Sequence, residues 1–88
     1  MANLNDLINS GVVAPGDELV WKRRVQRVEH RATVVPGPSI RTQDGKLHKT
    51  PSGAAKHLNS GRPVDGWLAW KLKKNGLSLS DLREQIKK

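Results

Sequence analysis

The chain contains three tryptophans and neither phenylalanine nor tyrosine. Its core must therefore be thin, built mostly from valines and leucines around a few indoles. One buried indole removes roughly 150–250 Å² from water, so each tryptophan matters greatly to folding. With 88 residues, the chain fits one domain spanning residues 1–88 and leaves no room for two. The hydrophobic fraction of 35% is low for a globular protein but above the disordered range.

Turn-forming residues divide the chain into short elements. Residues 3–11 read as a short helix: Leu4, Leu7 and Ile8 share one face, Asn3 can cap it, Asp6 sits in the first turn and Gly11 suits the left-handed C′ position. Pro15-Gly16-Asp17 makes a turn. Residues 18–22 read as a strand with Leu19 and Trp21 on one face and Glu18, Val20 and Lys22 on the other. Residues 23–28 form a basic connection to a second strand at 30–35. Pro36-Gly37-Pro38 forces a turn before a third strand at 39–43. Asp44-Gly45 is a two-residue hairpin signal leading to a fourth strand at 46–49.

A helix opens at Thr50, with Pro51 at its first position and Ala54, Ala55 and Leu58 as a slim apolar face suited to close packing on a sheet. Residues 67–73 read as a fifth strand, with Leu68, Trp70 and Leu72 inward and Trp67, Ala69, Lys71 and Lys73 on the other face. Asn75-Gly76 breaks it. Ser78 and Asp81 fit a capping box for a last helix bearing Leu79, Leu82 and Ile86. The expected architecture is α+β: a small antiparallel sheet of about five strands with three short helices, in the order α-β-β-β-β-α-β-α.

Sixteen lysines and arginines face eight carboxylates, a formal charge of +8. Such an excess bears on partners rather than on fold. A membrane is not the expected counterpart: no apolar run approaches the ~18 residues of a spanning helix, and no apolar leader follows Met1. The absence of cysteine removes disulfides, thiolate catalysis and cysteine-type zinc sites, and suits a cytoplasmic protein, nucleoid-associated if it binds DNA.

Chemistry-bearing patterns are sparse. His30, His48 and His57 lie on different elements without the spacing of a helical metal pair. His30, between Glu29 and Arg31, reads as solvated. The carboxylates have local duties: Asp6 and Asp81 in first turns, Asp17 and Asp44 in turns. No nucleophile elbow, phosphate loop or dinucleotide fingerprint occurs. The chain is expected to be no enzyme, with no cofactor, no metal and no small-molecule substrate.

The cations, by contrast, cluster. Lys22, Arg23, Arg24, Arg27 and Arg31 gather at the first hairpin, Lys71, Lys73 and Lys74 at the end of the fifth strand, and Arg83, Lys87 and Lys88 at the C-terminus. A basic irregular connection can follow phosphates without a helix in a groove. By parity Trp21 and Trp70 belong to the core, whereas Trp67 shares a face with lysines and can either stack on a base or lie under the helix that begins at Thr50.

These segments resemble a known family. Leu7-Ile8-Asn9-Ser10-Gly11, Pro15-Gly16-Asp17-Glu18-Leu19, Ala32-Thr33-Val34, Asp44-Gly45, Thr50-Pro51-Ser52-Gly53-Ala54-Ala55, Asp65-Gly66-Trp67-Leu68-Ala69-Trp70 and Leu77-Ser78-Leu79-Ser80-Asp81-Leu82-Arg83 occur in the order found in the RAMA domain, the restriction enzyme adenine methylase associated module. The most specific pair is the Pro-Ser-x-Ala-Ala helix start with the Gly-Trp-x-x-Trp segment. Thr50 stands where the family often has serine, and Asp65 where it often has asparagine. The resemblance implies a module found with restriction and methylation enzymes and proposed to read modified DNA, N6-methyladenine among the candidates. Carried over by position, it implies a site around Ser52, Gly53, Trp67 and Trp70, with Gly53 letting a phosphate approach the helix N-terminus.

The expectation is therefore a basic, non-catalytic module standing alone and binding DNA, double-stranded above all, through Lys22, Arg23, Arg24, Arg27, Arg31, Ser52, Gly53, Trp67, Lys71 and Lys73. The alternative is an adaptor docking on an acidic protein partner such as a restriction or methylation subunit. RNA binding is a third reading, resting on basicity alone.

Overall fold

The structure, a computed structural model, describes residues 3–87. Met1 and Lys88, which enter the sequence expectations above, lie outside the described residues. The elements run α1 (Leu4–Asn9), β1 (Glu18–Arg23), β2 (Val28–Val35), β3 (Ser39–Thr42), β4 (Leu47–His48), α2 (Pro51–Leu58), α3 (Gly66–Ala69), β5 (Lys71–Leu72) and α4 (Leu79–Ile86). The α+β expectation holds. The strands form one antiparallel sheet in the order β4-β3-β2-β1-β5.

Local chemistry accounts for most element ends. Asn3 caps α1 in a capping box with Asp6, and Ser78 caps α4 with Asp81 in the same way. Thr50 Oγ1 caps α2 by accepting from the Gly53 N–H at 3.0 Å, with Pro51 at the first position. The turn between β3 and β4 differs from the two-residue form. It is a three-residue loop, residues 43–45: the Thr42 N–H donates to the Lys46 carbonyl, and Gly45, at φ +86°, donates to the Thr42 carbonyl. The Thr42 and His57 side chains both hydrogen-bond the Asp44 carboxylate and tie this loop to α2.

The fifth strand is much shorter than residues 67–73. Its first half is the one-turn helix α3, capped by Asp65, whose Oδ1 accepts from the Trp67 N–H at 3.1 Å. Alternation of apolar residues over so few positions fits either state. Helical geometry then turns Leu68 outward, and it is 59% exposed rather than inside.

The core lies on one face of the sheet. Leu19, Ala32, Val34, Ile40 and Leu72 project into it from the strands. Leu4, Leu7, Ala54, Leu79 and Leu82 meet them from the helices. Trp70 is fully buried at the centre. Removing one indole from water contributes about 4–6 kcal/mol before conformational entropy is subtracted. Trp21 is only half-buried, its ring edge-on to Trp70 at 5.9 Å. His30 is not solvated: as the cross-strand partner of Trp21 it lies half-buried, with ring centroids 5.1 Å apart. Among the described residues, no helix is long and apolar enough to cross a membrane.

Candidate nucleic-acid interface

The opposite face of the sheet is open and basic. In β1 the buried Leu19 fixes which way Val20 and Lys22 point, because strand side chains alternate. Val20 pairs with Arg31 on one side and Lys71 on the other. Directly paired residues share a face. Thr33 pairs with Arg41 in the same way. Lys22, Arg31, Arg41 and Lys71, each exposed, therefore stand on one surface drawn from four different strands.

A groove of about 660 Å³ runs over this face. Lys22, Arg24, Arg31, Lys71 and Lys73 line it, with Leu68 and Ala69 of α3 as an apolar wall. A shallower depression of about 270 Å³ continues past Arg31 to Arg41 and Gln43. The two basic clusters, about fifty residues apart in sequence, are thus brought together because β5 pairs with β1. The carboxylates on this face are already engaged. Glu29 binds Arg31 at 2.9 Å and Glu18 binds Lys73 at 3.2 Å. Lys74, just beyond β5, pairs with Asp17 at 3.3 Å. Among the described residues, Lys22, Arg24, Arg27, Arg41 and Lys71 make no ion pair.

Arg41 was not among the residues singled out from the sequence. The signal was present: Ile40 and Thr42 are inward on β3, so the residue between them must face out.

The remaining expected residues lie elsewhere. Arg23 points to the helical side, where its guanidinium lies 4.8 Å from the Trp21 ring centroid and its Nη2 donates to Asn59 Oδ1 at 2.8 Å. Arg27 sits in the β1–β2 turn, exposed, with φ +54°. Ser52 and Gly53 lie at the start of α2, which packs on the core side. The Ser52 hydroxyl accepts from the Gly66 N–H at 3.1 Å, and the Gly53 N–H is taken by Thr50. Trp67 is half-buried, and the lid over its ring is Arg83 of α4, whose guanidinium carbon lies 3.5 Å from the centroid. Ser52, Gly53 and Trp67 therefore meet in the packing of α2, α3 and α4, on the side away from the basic groove.

A hydrogen-bonded clasp explains why the most specific segments occur together. A Cβ on Gly66 would lie 2.1 Å from the Pro51 carbonyl oxygen, so only glycine lets α3 approach α2 this closely. Trp70 Nε1 donates to that same carbonyl at 3.1 Å. The Thr50–Ala55 and Asp65–Trp70 segments are two halves of one joint, and Asp65 shapes its turn as a helix cap.

Two histidines also come together. His48 and His57 have ring centroids 4.9 Å apart, and His57 Nε2 is 2.6 Å from Asp44 Oδ2. Hydrogen bonds from Thr42 and then His57 hold the Asp44 carboxyl well below the usual carboxylate range. Burial, and then neighbouring charge, lowers the pKa of both His30 and His48.

The sequence model of the family described as Restriction Enzyme Adenine Methylase Associated (RAMA) matches residues 1–88, the whole chain. Comparison with curated proteins gives no match.

Proposed function

The chain belongs to the RAMA family, which sets it in a restriction–modification context, and from that premise we propose that it is a non-catalytic module that binds double-stranded DNA. It works on the nucleoid in the cytoplasm and reads base modification, with N6-methyladenine the first mark to try. One observation carries the DNA reading: cations from four strands share an open sheet face on which both carboxylates are already paired. Glu29 and Glu18 offset Arg31 and Lys73, so the net positive charge of the face comes from Lys22, Arg24, Arg41 and Lys71. A face of this kind bears on phosphates, and groups at its margin inspect bases. Neutralising ~4–6 phosphates gives a slope of roughly −4 to −5 for log K against log salt.

Fluorescence anisotropy with matched duplexes, methylated and unmethylated at adenine, over a salt series tests both levels. Binding at about 50 mM salt with that slope supports the DNA reading, and no binding there overturns it. Equal affinity for the two duplexes overturns modification reading alone.

Leu68 favours a second reading. It is 59% exposed on the groove wall, an apolar element that suits a protein surface. An adaptor docking on an acidic restriction or methylation subunit would form a stable complex in a pull-down and bind DNA weakly.

A further inference from the structure

The β1–β2 hairpin outruns the rest of the sheet. Its register extends from Glu18↔Thr33 to Arg23↔Val28. The flanking strands stop early: β5 pairs only with Leu19 and Val20, and β3 pairs with β2 only from Ala32 onward. Gln43 reaches one step further, accepting from the Arg31 N–H and donating to its carbonyl. Residues 21–30 thus form a two-stranded arm with no further strand on either edge among the described residues.

The arm is stiffened from one side. Trp21 packs on His30, and Arg23 covers Trp21 while bonding Asn59. On the other side Lys22 and Arg24 make no ion pair among the described residues. At the tip, Val25 is 92% exposed between Arg24 and Arg27. Arg27 holds φ +54°, a conformation glycine or asparagine adopts more easily. Charge alone would protect free edges from pairing with other chains. It does not account for a bare valine at the tip, nor for arginine at a position whose backbone favours glycine.

Resting on the DNA-binding reading above, we infer that this arm enters the major groove of duplex DNA while the sheet face bears on the flanking phosphates. The width agrees: a two-stranded ribbon fits a groove about 12 Å wide, and the turn residues Arg24 to Arg27 lie past the contacts that hold Trp21 and Arg23 to the helical layer. Arg24 and Arg27 match guanine O6 and N7 in chemistry, and Val25 matches the thymine methyl. The stacked base of the arm keeps the ordering cost of insertion low.

The test combines an arm variant with a groove-blocked duplex. Arg27→Gly with Val25→Ser preserves the fold, because glycine accepts the Arg27 backbone and Val25 packs on little. Lys56→Ala, exposed on α2, is the control. Unchanged thermal melting establishes that all three proteins are folded. At about 100 mM salt the arm variant is expected to bind duplex DNA about tenfold more weakly, and the control within about twofold. Duplex carrying glucosylated 5-hydroxymethylcytosine, whose sugars fill the major groove, is expected to lose binding by a similar factor. A minor-groove ligand should leave binding unchanged. Wild-type affinity in the arm variant, or competition by the minor-groove ligand with no effect of the sugars, overturns the arm while leaving DNA binding intact. Failure of the unaltered protein to bind any duplex overturns both.

Discussion

Trp70 donates its indole N–H to the Pro51 carbonyl oxygen at 3.1 Å, across a separation of nineteen residues and inside the core. The bond fixes the start of α2 against α3 and so sets where β5 begins. Replacing Trp70 with phenylalanine leaves that buried carbonyl without its partner and opens space beside it. The expected cost is about 2–4 kcal/mol, read as a lower urea midpoint. An unchanged midpoint would mean the clasp is not central.

Gly66 makes the same joint possible by lacking a side chain. Gly66→Ala places a methyl group 2.1 Å from the Pro51 oxygen, so the two helices must separate. A loss of more than about 3 kcal/mol is expected, or no folded protein at all. Ser52→Ala removes only the hydrogen bond from the Gly66 N–H and should cost about 1 kcal/mol. Circular dichroism melts of the two variants compare them directly.

Stability should fall with acid in two windows. His30 and His48 have lowered pKa values in the folded state, so the unfolded chain binds protons more readily. Their contribution is full above the ordinary value of 6.5 and is lost as pH falls through it. Asp44 is also lowered, so its contribution is full above the usual 3.8 and is lost further down. The urea midpoint is expected to decline as pH falls below 6.5 and again as it falls below 3.8. His48→Gln should flatten the first decline and Asp44→Asn the second. A midpoint independent of pH would contradict both assignments.

The sheet face makes a separable prediction. Arg41→Ala and Lys71→Ala each remove an exposed cation without an ion pair among the described residues. Each should weaken DNA binding evenly across sequences and reduce the salt slope by about 1. Unaltered slopes, measured by anisotropy, would move the phosphate contacts off this face.

Arg83→Ala should uncover Trp67. The stacked guanidinium contributes about 0.5–1 kcal/mol at a partly exposed ring. The expected signs are a small loss of stability and a red shift in tryptophan emission. Identical spectra would show that Arg83 does not shield the ring.

Much of this fold is legible because many of its signals are local. The caps at Asn3, Thr50 and Ser78 satisfy backbone groups within three residues, and the turn at Gly16 needs only its own positive φ. Alternation around Leu19 identifies the inward face of β1. The fifth strand misled because Leu68, Trp70 and Leu72 alternate over too few positions to separate strand from one helical turn. The Asp65 cap was the local cue to the helix.

The candidate interface divides along the same line. Sequence alone determined that cations crowd residues 22–31 and 71–74, and that tryptophan would anchor the core. Which cations meet was a tertiary matter. Pairing of β5 with β1 joined Lys71 and Lys73 to Lys22 and Arg31, while strand parity and the Asn59 bond took Arg23 to the other side. Trp67 and Ser52 were claimed by the joint between helices: Arg83 covers the half-buried ring, and the N–H of buried Gly66 needs the Ser52 hydroxyl as its acceptor. Local hydrogen bonding is written within a few residues. Strand order and the cover over each side chain depend on contacts between distant segments, and no short stretch of sequence specifies those.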